Sequence, residues 1–197
     1  MCLIPEAEEE PPKALPVWDE AVTRGRWLVG LLLLQSASSV VLDSYQDLLR
    51  DHLVVTLFLT MLVGAGGNAG NQSAIKVIRG LATGSITTSW ASIRATLTEQ
   101  VEVSLLLGGG LSAAGFARVY VTTQSLVNAA AISLSLLAIV IASVLLGSAL
   151  PFVLARAGVD PANAGTSIQV LMDIIGVAIT CATCQAVLVQ YAGSLGG

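Results

Sequence analysis

Apolar stretches near or above the length that crosses a bilayer recur along this 197-residue chain, and nothing else in it limits the fold as much. A membrane-spanning helix needs about 20 predominantly apolar residues. In hydrocarbon, only structures that satisfy every backbone N–H and C=O internally can span. With 54% hydrophobic and 11% charged residues, the chain is predicted to be an all-α integral membrane protein with five transmembrane helices per subunit.

Those spans are predicted at about Trp27–Leu42 (extending to Tyr45), Leu53–Ile75, Val101–Val121, Ser125–Leu150 and Ile168–Tyr191. Lys76 and Arg79 stop the second, and Pro151 can kink or end the fourth, where Ser143 and Gly147 give a small-xxx-small contact face. Residues 80–98, rich in Thr, Ser and Gly, are expected to form a loop with a short interfacial helix. Residues 1–23 form an acidic, Pro-rich tail expected to be disordered, and residues 24–197 form the transmembrane domain.

Five spans place Lys13, Arg24, Arg26, Lys76, Arg79, Arg94 and Arg156 on one side and only Arg50 and Arg118 on the other. The positive-inside rule then puts the N-terminus in the cytoplasm, or its organellar equivalent, and the C-terminus opposite. The net charge of −4 comes without a basic patch, so nucleic acid is not an expected partner and the lipid bilayer is. Three cysteines are an odd number for a full disulfide framework, and Cys181-x-x-Cys184 on a helix is expected to pack. His52 is a lone histidine in a connection. No Ser, His and Asp set, zinc motif or nucleotide loop is present, so an enzyme is not expected.

Within the second span lies Gly64-Ala-Gly-Gly-Asn-Ala-Gly-Asn-Gln-Ser73. Glycines cost helix stability and leave room for another backbone or an ion. Asn68 and Asn71 share a helical face, and an amide in hydrocarbon must find a partner helix or water. Two uses stay open here, helix packing with Asn as glue or a water-filled path. A short echo, Asn68-Ala-Gly-Asn71 against Asn163-Ala-Gly-Thr166, suggests matched interruptions at the inner ends of the second and fifth spans with a path between them.

Asp173 is the acid within the fifth span, flanked by Leu171, Met172, Ile174 and Ile175. Placing a carboxylate there costs roughly 2.5 to 3.5 kcal/mol, so a partner, a proton or a cation is expected. Thr166, Gln169, Asp173, Gly176 and Thr180 recur at helical steps and draw one polar or small stripe. Carboxylate, amide and hydroxyl oxygens without histidine or thiolate suit a hard cation, and Mg²⁺ is held readily through its water shell. One Asp per subunit does this best at a two-fold axis.

The run Gly66-Gly-Asn-Ala-Gly-Asn-Gln-Ser73, together with Asp160-Pro-Ala162 and Asp173-x-x-Gly176, resembles the MgtE-type magnesium channel/transporter family, to which animal solute carriers for magnesium are related. The similarity covers about Arg24 to Tyr191. It implies a homodimer with a pore between second and fifth helices, Asp173 holding hydrated Mg²⁺ (with Mn²⁺, Co²⁺ or Ca²⁺ as other candidates), and Asn68, Asn71, Thr166, Gln169, Gly176 and Thr180 along the path. The family's acid at the start of the third helix is matched by Glu99, with Glu102 one turn later as the alternative, either serving as an inner-mouth acid. Two departures stand out. The tail has no room for the cytoplasmic sensor domains of many bacterial members, so no dedicated regulatory domain is expected, and the usual Thr residues ahead of the last-helix Asp appear as Gln169 and Val170. The alternatives to a channel are a proton- or sodium-coupled carrier and a structural or assembly membrane protein.

Overall fold

The structure, a computed structural model, describes residues 16–189. Its helices are α1 (Val17–Gln35), α2 (Ala37–Ser44), α3 (Gln46–Asp51), α4 (Leu53–Thr83), α5 (Trp90–Thr123), α6 (Leu126–Arg156) and α7 (Ala164–Cys184). A 3-10 turn, Pro161–Asn163, leads into α7, and a π turn, Gln185–Val189, continues it. With α1 and α2 taken together and both turns included in the last segment, five segments are long and apolar enough to cross a membrane, as expected.

Local chemistry sets the ends. Ser89 caps α5 by accepting from the Ser92 N–H, Ser125 caps α6 by accepting from the Asn128 N–H, and Asp160 accepts from the Ala162 N–H ahead of α7. Gly84 closes α4 at φ 73°, a left-handed conformation that needs no Cβ. Ser36 separates α1 from α2, its hydroxyl donating to the Leu33 carbonyl at 2.5 Å, and such back-bonding bends helices.

The helices overrun the predicted spans. α4, α5 and α6 have 31, 34 and 31 residues, about 45 to 50 Å of helix, against a hydrocarbon core of about 30 Å. The expected loop over 80–98 is corrected to a six-residue connection, 84–89. Residues 90–98 are helical because Ile93 packs with Val77 of α4 and Phe152 of α6 in a small apolar cluster beyond the main core. Likewise α1 begins at Val17, so the part of the expected disordered tail that is described is helical from that residue on. The rest of the tail, and the end of the fifth span at Tyr191, lie outside the described residues. Pro151 neither ends α6 nor stops its packing, since the helix runs on to Arg156.

α6 is the central helix, packed against α4, α5 and α7, while α1 contributes no buried residue and lies along α7. Leu62 of α4, Ile132, Ile139 and Val144 of α6, and Ile168 and Met172 of α7 are sealed in the core. α4 and α6 approach closely at their small residues. A Cβ on Gly147 would stand 2.8 Å from the Cα and carbonyl carbon of Gly70, and the Ser143 hydroxyl donates to the Gly66 carbonyl. Gly66-xxx-Gly70 thus meets Ser143-xxx-Gly147, small face to small face. Outward faces such as Leu32, Leu33, Leu105 and Leu106 are exposed and apolar, as lipid contact requires.

Candidate functional site

α4 passes through the Gly/Asn stretch without interruption, which corrects the expectation of matched breaks: Asn68 lies midway along a continuous helix. The two echo segments nevertheless meet, since a Cβ on Gly165 would be 3.0 Å from the Asn71 Oδ1. Between α4 and α7 runs an open groove of about 290 Å³ bordered by Thr60, Val63, Gly64, Gln169, Asp173 and neighbours.

Asp173 projects into this groove, half-buried, and uses both oxygens. Its Oδ2 accepts from Gln35 Nε2 at 2.5 Å and its Oδ1 from Gln169 Nε2 at 3.3 Å. Gln35 was not found from the sequence. The signal was there: an amide closing the apolar run Leu28–Leu34 needs a partner. It is the polar tie between α1 and α7. Thr60, one turn before Gly64, is also on the groove and was equally unmarked.

The side chain of Gln169 lies over α4 where Gly67 has no side chain; a Cβ there would come within 2.6 Å of its Cδ and Nε2. Gly67 thereby leaves room for Gln169 to reach forward one turn to Asp173. In Gly67→Ala the flexible end of Gln169 has to swing away, at little cost to stability. If the groove carries hydrated Mg²⁺, as the resemblance implies, apparent affinity in a flux assay is then expected to weaken by roughly 3- to 10-fold, the worth of one long hydrogen bond to Asp173. Unchanged affinity would show that Gln169 does not act through Asp173.

The predicted stripe divides along its length. Thr166 and Gln169 are exposed, Asn68 is exposed and Asn71 half-buried, with Gln169 on the groove and Asn71 beside Gly165 of α7. Gly176 packs against Val63, and Thr180 is fully buried, its hydroxyl donating to the Gly176 carbonyl at 2.7 Å. Neither lines the groove: Val63 of α4 lies against Gly176, and it is Val177, one turn after Asp173, that continues the groove wall.

Glu99 and Glu102 do not reach the groove either. Glu99 accepts from Lys76 Nζ at 2.6 Å across a separate cleft of about 860 Å³ between the ends of α4 and α5. Its charge is already partnered, and Glu102 is exposed nearby on α5. Lys76, Arg79, Arg94 and Arg156 gather at this end, where Arg156 also donates to the Thr88 carbonyl. Arg118, near the end of α5, sits over the ring of Phe58, near the start of α4. Among the described residues no three His, Cys, Asp or Glu side chains cluster, so one subunit alone offers no closed metal site.

Fold and groove together define a polytopic α-helical membrane protein whose mid-span acid is turned to its surface instead of into its core. A family model described as a divalent cation transporter, MgtE, matches residues 59–183, and the chain belongs to that family. It is similar to the magnesium transporter MgtE of Thermus thermophilus, 36% identical over 160 residues, which are 80% of this chain and 35% of that protein. It is also similar to the magnesium transporters MgtE of Enterococcus faecalis, 28% identical over 89% of this chain and 37% of the relative, and of Bacillus subtilis, 27% identical over 81% and 35%. The chain thus spans about a third of the length of the curated relatives it matches.

Proposed function

We propose that two copies of this chain form a dimer that conducts hydrated Mg²⁺ through a pore built from α4 and α7 of both subunits. One observation carries this reading: Asp173, deep within a span, opens on a groove at the subunit surface. Leaving it there against hydrocarbon costs roughly 2.5 to 3.5 kcal/mol. A second copy facing the same groove removes that contact and brings a second carboxylate to the same water-filled path, which is what a hydrated divalent ion needs. Gln169, Thr166, Asn68 and Asn71 order water along the path. Mg²⁺ is the cargo named for the relatives, and Mn²⁺, Co²⁺ and Ca²⁺ are its competitors. The end bearing Lys76, Arg79, Arg94 and Arg156 faces the cytoplasm or its equivalent.

The test is Mg²⁺ uptake into liposomes holding the purified protein. Saturable uptake that ignores imposed pH and sodium gradients is the expected result. Uptake that follows either gradient would transfer the reading to a coupled carrier, and none at all from a well-folded dimer would overturn conduction by this chain.

A further inference from the structure

Apart from the groove, and sharing no residue with it, α5 and α6 frame a second feature. Ile93, Leu97 and Val101 of α5 face Leu145, Leu146 and Ala149 of α6 across an almost wholly apolar slot of about 500 Å³. That volume lies within the roughly 300 to 1,000 Å³ of small-molecule sites. A shallower cleft of about 620 Å³ continues from it along α5, and the two share Trp90, Arg94 and Thr98.

The mouth is cationic. Arg94 is exposed and has no carboxylate partner among the described residues. Arg156 stands 5.4 Å from the centre of the Trp90 ring and is tied to the Thr88 carbonyl at 2.9 Å, which fixes a second guanidinium beside the same opening. Trp90 itself is 74% exposed, the position of an indole at a membrane–water boundary. Along α5, Arg94 precedes Val101 by about 10 Å of helix, so the charge sits at the interface and the slot runs from it into the apolar layer. Neither Glu99, paired with Lys76, nor Glu102 lines either cleft.

We propose that this slot holds one anionic glycerophospholipid per subunit, an acyl chain between α5 and α6 and its phosphate on Arg94. The guanidinium fork matches phosphate oxygens, and basic pockets between membrane helices select anionic headgroups in this way. Arg156 adds charge without contacting the chain, and Trp90 packs at the level of the glycerol.

The experiment is native mass spectrometry with thermal unfolding of the full chain in detergent. Dioleoyl phosphatidylglycerol, dioleoyl phosphatidylcholine and glycerol phosphate are added separately. Wild type should retain one phosphatidylglycerol per subunit and gain thermal stability from it, more than from phosphatidylcholine, and gain nothing from glycerol phosphate. Arg94→Gln should lose the preference for phosphatidylglycerol by at least about tenfold, the worth of a charge-assisted bond. Ala149→Phe, which fills the slot, should lose both lipids. Equal retention of both lipids in wild type and variants would mean ordinary boundary lipid and overturn the proposal, as would glycerol phosphate acting as well as the whole lipid. Leu145→Cys in a Cys2→Ser background that crosslinks between subunits would overturn it too, by giving the slot to a second copy.

Discussion

Mg²⁺ uptake by Asp173→Ala is expected to fall to the level of protein-free liposomes, with a dimer that elutes and unfolds like wild type. The size of the effect follows from charge. A divalent ion about 4 Å from a carboxylate gains on the order of 8 kcal/mol at an effective dielectric of about 20, before desolvation is subtracted. A dimer supplies two such groups. Removing them leaves amides and hydroxyls, which can order water but cannot offset the dehydration and repulsion that a dication meets in a low-dielectric slot. Folding should survive, because Asp173 is half-buried beside an open groove, and of its two partners Gln169 lines that groove and Gln35 is itself only half-buried. Asp173→Asn separates charge from shape: the isosteric amide still meets both glutamines once one of them turns its own amide to accept, through Oε1, from the new Nδ2, so loss of uptake in it as well assigns the effect to charge. Normal Mg²⁺-selective uptake in Asp173→Ala would sink the reading. An unfolded Asp173→Ala together with an unfolded Asp173→Asn would instead make Asp173 an assembly residue.

Much of this architecture was legible because hydrocarbon thickness imposes it. The spans showed as apolar runs, but hydropathy reports only the part of a helix that lipid touches. The extra turns of α4, α5 and α6 extend beyond it, held by contacts such as Val77 with Ile93 and Phe152, which no local pattern announces. The stripe on α7 was real in its period and incomplete in its meaning. Spacing assigns Thr166, Gln169, Asp173, Gly176 and Thr180 to one face. What covers that face depends on α4, which meets Gly176 through Val63 and leaves Asp173 on the groove. The Gly/Asn stretch posed a choice between packing and a path, and the continuous helix turns different glycines to α6 and to the groove. Gly66 and Gly70 meet α6, while Gly64 and Gly67 meet the groove and Gln169. The resemblance pointed to Asp173 directly. Gln35 escaped because its partner lies 138 residues away and because α1, the helix that carries it, buries no residue.

Gly147→Leu is expected to cost the most stability of any single substitution considered for this chain. A Cβ at residue 147 meets the Cα and carbonyl carbon of Gly70 at 2.8 Å, so the clash is backbone against side chain and no rotamer relieves it. α4 and α6 must separate, and the bond from Ser143 to the Gly66 carbonyl goes with the contact. Overpacking ordinarily costs about 1 to 3 kcal/mol. With rigid backbone as the obstacle, Gly147→Ala should fall in that range and Gly147→Leu should exceed about 3 kcal/mol, read as a lowered unfolding midpoint in mixed micelles. Gly109→Leu is the control, because nothing lies within 4 Å of a Cβ there and α5 meets lipid at that point; its effect should stay within about 0.5 kcal/mol. Equal midpoints for the two leucine variants would refute the close approach of α4 and α6. The separation also bears on the groove. α4 carries Gly70 against α6 on one face and Thr60, Gly64 and Gly67 toward α7 on the other, so a shift that accommodates residue 147 moves the wall opposite Asp173. Any Gly147→Ala protein that still folds should therefore also show weakened Mg²⁺ affinity, although residue 147 touches neither the groove nor the ion.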